Sequence, residues 1–373
     1  MSKKLGLAPG GSEEDDGIPA FLSKAISPPH EKSITNAIEL LIDLGALLPE
    51  TNDLTDLGKC LSVLSLEPRV GKMVIWSYLL GCSSVAGQMA VAMSYKSPFT
   101  LPPPNMRRAA DSAQVELSQG SESDQVTVLN ALVVYDQLKR RGGHYNFCRR
   151  NYLNPATMQM ISDLRQNLKR ELSSLGFPNP MNSNEYHNRY DRQQALWHGA
   201  IAAGLYPNVA TRKTGEVNFS TMTNQKCKIQ VGSVNGIKGQ PLNGKCQIPV
   251  GEIEFLCFGE MVKKTRLFMC SQTTHLVSCL PLLLLCGTTL RVSPHADETE
   301  FAVLNLDDWL VLKTGVHVAA GIVMLRKRLD AAFKNAIKKP SLFPGHLNDI
   351  QKGAIETLGL VLISGHKSSN VRR

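Results

Sequence analysis

The chain has 373 residues, with 41 Lys and Arg against 32 Asp and Glu, a net charge of +9, and 43% hydrophobic residues. That length holds two or three ordinary cores, and the basic balance suits a polyanionic partner, although charge alone does not establish one. The N-terminus MSKKLGLAPGGSEEDDG lacks a signal-peptide apolar core, and the longest apolar run, Leu276 to Cys286, is too short for a bilayer and broken by Pro281. An intracellular protein of nucleus or cytoplasm, with no membrane partner, is expected.

Residues 1–20 are Gly-rich and acidic, a composition that favours disorder. From Ser33, the residues Ile34, Ala37, Ile38, Leu41 and Leu44 recur at helical spacing. Ser33 is placed to cap this helix and Gly45 to close it. Asn52-Asp53, between Leu47-Leu48 and Leu54, predicts a small wing, and Thr55 is the expected cap of a helix through Leu61.

Glu67 to Gly176 is almost entirely helical in pattern. Pro68 suits a first turn, with Val70, Met73, Val74 and Tyr78 as one stripe before Gly81. Further helices are predicted over Val85 to Met93, about Asn105 to Leu117, about Asp124 to Arg141, and from near Pro155 to Gly176. The triplet Lys139-Arg140-Arg141 complements a helix dipole as readily as it would meet a phosphate.

After the polar segment NPMNSNEYHNRYDRQ comes a short helix, Ala195 to Gly204. Strand signals then dominate: Val217 to Phe219, Cys227 to Val231, Ile253 to Phe258, Thr265 to Met269, Thr289 to Val292 and Trp309 to Leu312. Leu276 to Cys286 reads as a buried strand or short helix. Val311 to Lys339 is a closing helical region, with Leu325, Leu329 and Phe333 on its apolar side and Arg326-Lys327-Arg328 outward.

No catalytic residues are assigned. Gly-Lys occurs at Gly58-Lys59-Cys60, Gly71-Lys72-Met73 and Gly244-Lys245-Cys246, and in none does the Ser or Thr of a phosphate loop follow. The only Asp-Glu dipeptide, Asp297-Glu298, lies in the loop-like SPHADETE. No nucleophile elbow or triad-like His is present. Nine cysteines without a CxxC pair imply reduced, mostly buried thiols. A zinc site from Cys246, Cys257, Cys270 and His275 is disfavoured, because each falls in a strand-like run where Cys acts as a small hydrophobe. No metal is assigned.

The segment PPHEKSITNAIELLIDLGALLPETNDLTDLGKCLSVLSLEPRVGKMVIW, Pro28 to Trp76, resembles the region that follows the motor domains in DExH-box RNA helicases. The stretches SYKSPF, SDQVTVLNALVVYDQLKRRG and CRRNYLNPATMQMISDLRQNLKRELSSLGF resemble consecutive parts of that family's ratchet, with Gln125 where the family usually has His. GLYPNV and VGSVN (Val231 to Asn235) resemble parts of its OB-like barrel, and FGEMVKKTRLFMCSQTTHLVSCLPLLLLCGTTL resembles RNA helicase A-like members.

The resemblance implies a multidomain fold: an α-helical N-terminal part, with a winged helix over 21–66 and a helical ratchet bundle over 67–180, then a β-rich OB-like barrel over 195–315 and a C-terminal helical region over 316–373. It implies a part that grips single-stranded RNA during unwinding. The family's motor uses ATP and Mg²⁺, but no cofactor is expected in this chain. Its motor domains are expected to be absent, so that the polypeptide alone is inactive as an ATPase.

Expected partners are single-stranded or structured RNA, DNA as a related polyanion, and helicase motor domains in trans. The alternative is a non-catalytic interaction module that docks on a motor or adaptor. For RNA contact, the expected residues are Ser233, Asn235, Lys263, Lys264 and Arg266 in the barrel and Arg107, Arg108, Arg149 and Arg150 in the ratchet. Phosphates need exposed cations and N–H donors, although for any single Arg a solvated helix face is the plainer reading.

Overall fold

The computed structural model describes residues 17–371 apart from 181, 183–184, 214, 238–252, 265–266 and 297. Most of the expected tail, Cys246 and Arg266 lie outside the described residues. After a short α1 (Ile18–Ser23), the winged helix consists of α2 (Glu31–Asp43) and α3 (Asp56–Val63). Leu47 pairs with Leu54 across the wing, where Asn52 takes φ +57°. Thr55 caps α3 as expected, its Oγ1 accepting the Gly58 N–H at 3.0 Å. The cap of α2 differs. The chain is extended at His30, whose Nδ1 accepts the Lys32 N–H at 3.2 Å, so the helix begins at Glu31 and Ser33 lies inside its first turn.

The ratchet comprises α4 (Pro68–Leu80), α5 (Ser83–Met93), α6 (Arg107–Ser118), α7 (Asp124–Lys139), α8 (His144–Arg150) and α9 (Pro155–Ser174). Pro68 opens α4 and Gly81, at φ +71°, closes it. The unanticipated α8 is seven residues long and buries only Cys148, too little to leave a periodic stripe.

The ratchet packs on α10 (Gln194–Leu205), where an ideal Cβ on Gly204 would overlap Met73 Cβ and stand 2.9 Å from the Arg69 carbonyl oxygen. Met73, Tyr78, Leu79, Met89, Leu132, Leu172 and Leu196 are among the largest fully buried side chains. Each contributes roughly 1.5–3 kcal/mol relative to exposure.

Five strands follow: β1 (Val209–Lys213), β2 (Phe219–Thr221), β3 (Lys226–Ile229), β4 (Ile253–Lys264) and β5 (Leu267–Leu276). They close into a barrel in the order β1-β2-β3-β5-β4, with β3 and β5 parallel and the other pairs antiparallel. Its interior is filled by Ala210, Phe219, Cys227, Leu256, Phe258 and Cys270.

The barrel ends at β5 rather than continuing to 315. Beyond α11 (Leu280–Leu285), the strands β6 (Leu290–Pro294), β7 (Phe301–Leu306) and β8 (Leu310–Gly315) form a separate antiparallel sheet. Asp307, in the β7–β8 turn, accepts bonds from Tyr206 Oη at 2.6 Å and from the Thr289 N–H at 2.7 Å, which anchors this sheet to the body.

The chain closes with α12 (Val316–Lys338) and α13 (Asp349–Val371). Trp76 of α4 stacks on Phe333 of α12 with centroids 4.1 Å apart. Arg326 faces inward, against expectation. Its Nη1 donates to the carbonyls of Leu283 at 2.9 Å and Cys286 at 2.5 Å, and Nη2 donates to Gly287, satisfying the free carbonyl end of α11. Among the described residues, no helix is long and apolar enough to cross a membrane.

Candidate nucleic-acid interface

The first turn of α7 is wedged against β5 and the loop before β4. Ser123 caps α7, its Oγ accepting the Val126 N–H at 3.3 Å, and also bonds to Thr274 Oγ1 at 2.6 Å. Asp124 accepts the backbone N–H groups of Val234 at 2.8 Å and Thr273 at 2.7 Å, and the Thr273 hydroxyl at 3.2 Å. Burial pushes the Asp124 carboxyl above its ordinary range, opposed by the neighbouring Ser233 hydroxyl and by the bonds from Thr273 and Val234. Gln125 Nε2 donates to the Gln272 carbonyl at 2.6 Å.

Gln272 holds φ +52°, and its partner across the hairpin is Gly259, where a Cβ would stand 3.0 Å from Gln272 Cβ. Gly259 therefore makes room for a turned residue on which the ratchet rests. The seam is completed by a contact of His275 Nδ1 with the Glu122 carboxylate at 3.1 Å and by Gln114 Nε2 donating to the Gly232 carbonyl at 3.0 Å.

Beside the seam lies a cleft of about 620 Å³. The ratchet supplies Tyr95, Lys96, Phe99, Arg107 and Tyr152 to its walls; the barrel side supplies Gln230, Val231, Glu260 and Gln272. Tyr95 and Phe99 belong to SYKSPF, and this loop is pinned where the Thr100 N–H donates to the Tyr152 carbonyl at 2.8 Å. The lining thus combines the cations Lys96 and Arg107 and the aromatic residues Tyr95, Phe99 and Tyr152, the residue types that attract phosphates and stack bases, with the carboxylates of Asp111, Asp124 and Glu260.

Of the expected contacts, Arg107 and Ser233 line the cleft and Arg108, the exposed neighbour of Arg107 at the start of α6, does not. Arg149 and Arg150 are exposed in the last turn of α8, outside the lining. Lys263 and Lys264 are exposed at the end of β4, opposite Phe268 and Leu267, further along the strand from Glu260. Arg266 lies outside the described residues.

Ser233 and Asn235 depart from the expectation of solvent-facing ligands, at 4% and 2% exposure. Ser233 Oγ bonds to Thr273 Oγ1 at 2.7 Å, while Asn235 Nδ2 donates to the Glu122 carbonyl and to Thr273 Oγ1, each at 3.0 Å. Polar residues so placed bond within the seam, because a buried donor without a partner is costly. Sequence reasoning passed over Lys96 and the three aromatic residues, although SYKSPF was already a landmark.

Three family models match the chain: the helicase associated domain (HA2), winged-helix, over residues 37–66; the helicase associated domain (HA2), ratchet-like, over 67–128; and the oligonucleotide/oligosaccharide-binding (OB)-fold over 197–289. The chain carries the winged-helix, ratchet and OB-like C-terminal region of the DExH-box RNA helicase family.

Among its relatives, the DExH-box ATP-dependent RNA helicase DExH1 of Arabidopsis thaliana is 32% identical over 87% of this chain and 31% of its own length. The human ATP-dependent RNA helicase DHX29 is 28% identical over 89% of this chain and 24% of its own length. The human ATP-dependent DNA/RNA helicase DHX36 is 26% identical over 93% of this chain and 33% of its own length. The chain thus spans about a third or less of these relatives.

Proposed function

We propose that this chain grips single-stranded RNA for a DExH-box ATP-dependent RNA helicase, in the cleft between ratchet and barrel. The observation that carries the reading is the shared wall of Lys96, Arg107, Tyr95, Phe99 and Tyr152. Lys96 and Arg107 hold phosphates, and the aromatic rings stack bases irrespective of sequence. DNA single strands enter the same cleft, since neither interaction needs a 2′-hydroxyl. ATP and Mg²⁺ are assigned to motor domains and to no residue of this chain.

The test is fluorescence anisotropy with a labelled oligouridine across a salt series. Binding should weaken as salt rises, because phosphate contacts release counterions. The double substitution Lys96→Ala, Arg107→Ala should reduce the salt slope by about 1.4, which is roughly 0.7 for each single-strand phosphate that is no longer neutralised. Absence of binding at low salt would overturn the proposal and favour a protein-docking module, and an unchanged slope would remove the cleft from it.

A further inference from the structure

The seam is built of polar side chains, and they converge on one short piece of β5. Thr273 and Thr274 are fully buried, as is Ser123, and Gln125 is 2% exposed. Asp124 receives donors from two different places in the barrel, the VGSVN loop at Val234 and strand β5 at Thr273. Gln125 holds the carbonyl of Gln272, the residue with the left-handed backbone. Asp124, Gln125, Ser233 and Gln272 all line the cleft as well as the seam.

These bonds are directional, and each fixes an angle as well as a distance. From this juxtaposition we infer that Asp124 and Gln125 are positioning residues: they set the spacing between the SYKSPF wall and the barrel wall so that one strand of nucleic acid fits and a duplex does not. The inference rests on the reading of the cleft as a nucleic-acid interface.

Three features give it a sign that can be checked. Asp124 is an acid at the edge of a site for a polyanion, so on charge alone its removal would tighten binding. Its carboxylate accepts two backbone N–H groups, one on each oxygen. The amide of Asn presents one oxygen and one NH₂ group, so Asp124→Asn sets a donor against a donor and loosens the barrel side of the cleft. Gln125→Ala keeps the carboxylate and its bonds but frees the Gln272 carbonyl. Asp111 also lines the cleft and makes no bond of the seam, so Asp111→Asn controls for charge.

The experiment measures the affinity of the 373-residue chain for a single-stranded oligouridine and for a blunt RNA duplex, at a temperature below each variant's melting transition. Wild type should favour the single strand. Asp124→Asn and Gln125→Ala should each lower the ratio of single-strand to duplex affinity about tenfold, the equivalent of roughly 1.4 kcal/mol. Asp111→Asn removes a charge from the lining and should tighten both ligands alike, so that their ratio stays at the wild-type value.

If Asp124→Asn binds like Asp111→Asn, with the ratio intact, the carboxylate is only a charge or a structural bond and the inference is overturned. Should Asp124→Asn fail to fold, Gln125→Ala decides, since an unaltered ratio there overturns the inference equally. A wild type that binds no single strand refutes the cleft reading and the inference with it. A wild type that prefers single strands, together with variants that do so equally, refutes the inference alone.

Discussion

The contact between α4 and α10 and the seam between α7 and β5 are both largely buried, and they are made of opposite materials. The first brings Met73 and Arg69 against Gly204, in a region where Ile75, Tyr78, Leu79 and Leu196 are fully buried. The second consists of Ser123, Asp124, Gln125, Thr273 and Thr274, joined by hydrogen bonds of 2.5–3.3 Å. Apolar burial is non-directional and tolerates small slides, whereas a hydrogen-bonded seam holds one relative orientation. The dry contact therefore determines that the domain folds, and the polar seam determines the angle at which its neighbour is held. The cleft borders the seam.

The largest expected effect breaks the dry side. Gly204→Ala places a methyl group against Met73 Cβ, with Met73 Cα and the Arg69 carbonyl oxygen each 2.9 Å away, and two of these three atoms belong to backbone that cannot step aside. A loss of about 3 kcal/mol is expected, read as a lower midpoint in urea unfolding. The folded fraction should bind oligouridine as wild type does. A weakened affinity in that fraction would show that the α4–α10 packing and the seam are not independent.

The next effect strikes the seam. Thr273→Val keeps the shape of the side chain and deletes the hydroxyl shared by Ser233, Asn235 and Asp124. Three buried polar groups are each left one partner short, and a cost of about 2 kcal/mol follows. Here the affinity for single strands should fall together with stability, unlike in Gly204→Ala. A seam variant that is destabilised but binds normally would reduce this region to ordinary packing.

The same contrast explains what was legible in the sequence. The helices α4, α7 and α9 announce themselves through apolar stripes ending at Gly81, a basic triplet and Gly176, and the winged-helix, ratchet and barrel order follows from motifs along Pro28 to Leu290. Hydrophobic periodicity is local, so it survives in a single sequence. The seam is not local: the Asp124 and Thr273 that share a hydrogen bond are 149 residues apart. Ser, Thr, Asp and Gln look like surface residues until the fold supplies their partners. For that reason Ser233 and Asn235 read as free donors, and Arg326 as a solvated cation. Tyr95, Lys96 and Phe99 were visible as a motif, but only the barrel opposite gives them a cleft to line.

The smallest effect compares two partly buried carboxylates. Asp124 accepts at both oxygens, whereas Asp191 accepts from the Val85 backbone and its Oδ1 has no hydrogen-bond partner among the described residues. Burial raises the Asp191 carboxyl from 3.8 to about 7. The folded state then holds a proton that the unfolded state releases, so stability falls as pH rises from about 4 to about 7 and levels off above that range. Because Asp191 keeps partial access to solvent, the full shift overstates the energy, and about 1 kcal/mol is expected across the window. Asp191→Asn retains an oxygen for the Val85 N–H and removes the charge. It should melt higher than wild type at pH 8, by a few degrees, with a flatter profile between pH 5 and pH 8. If wild type and variant keep parallel profiles over that range, Asp191 does not change its protonation between pH 5 and pH 8, and the contrast with Asp124 is lost.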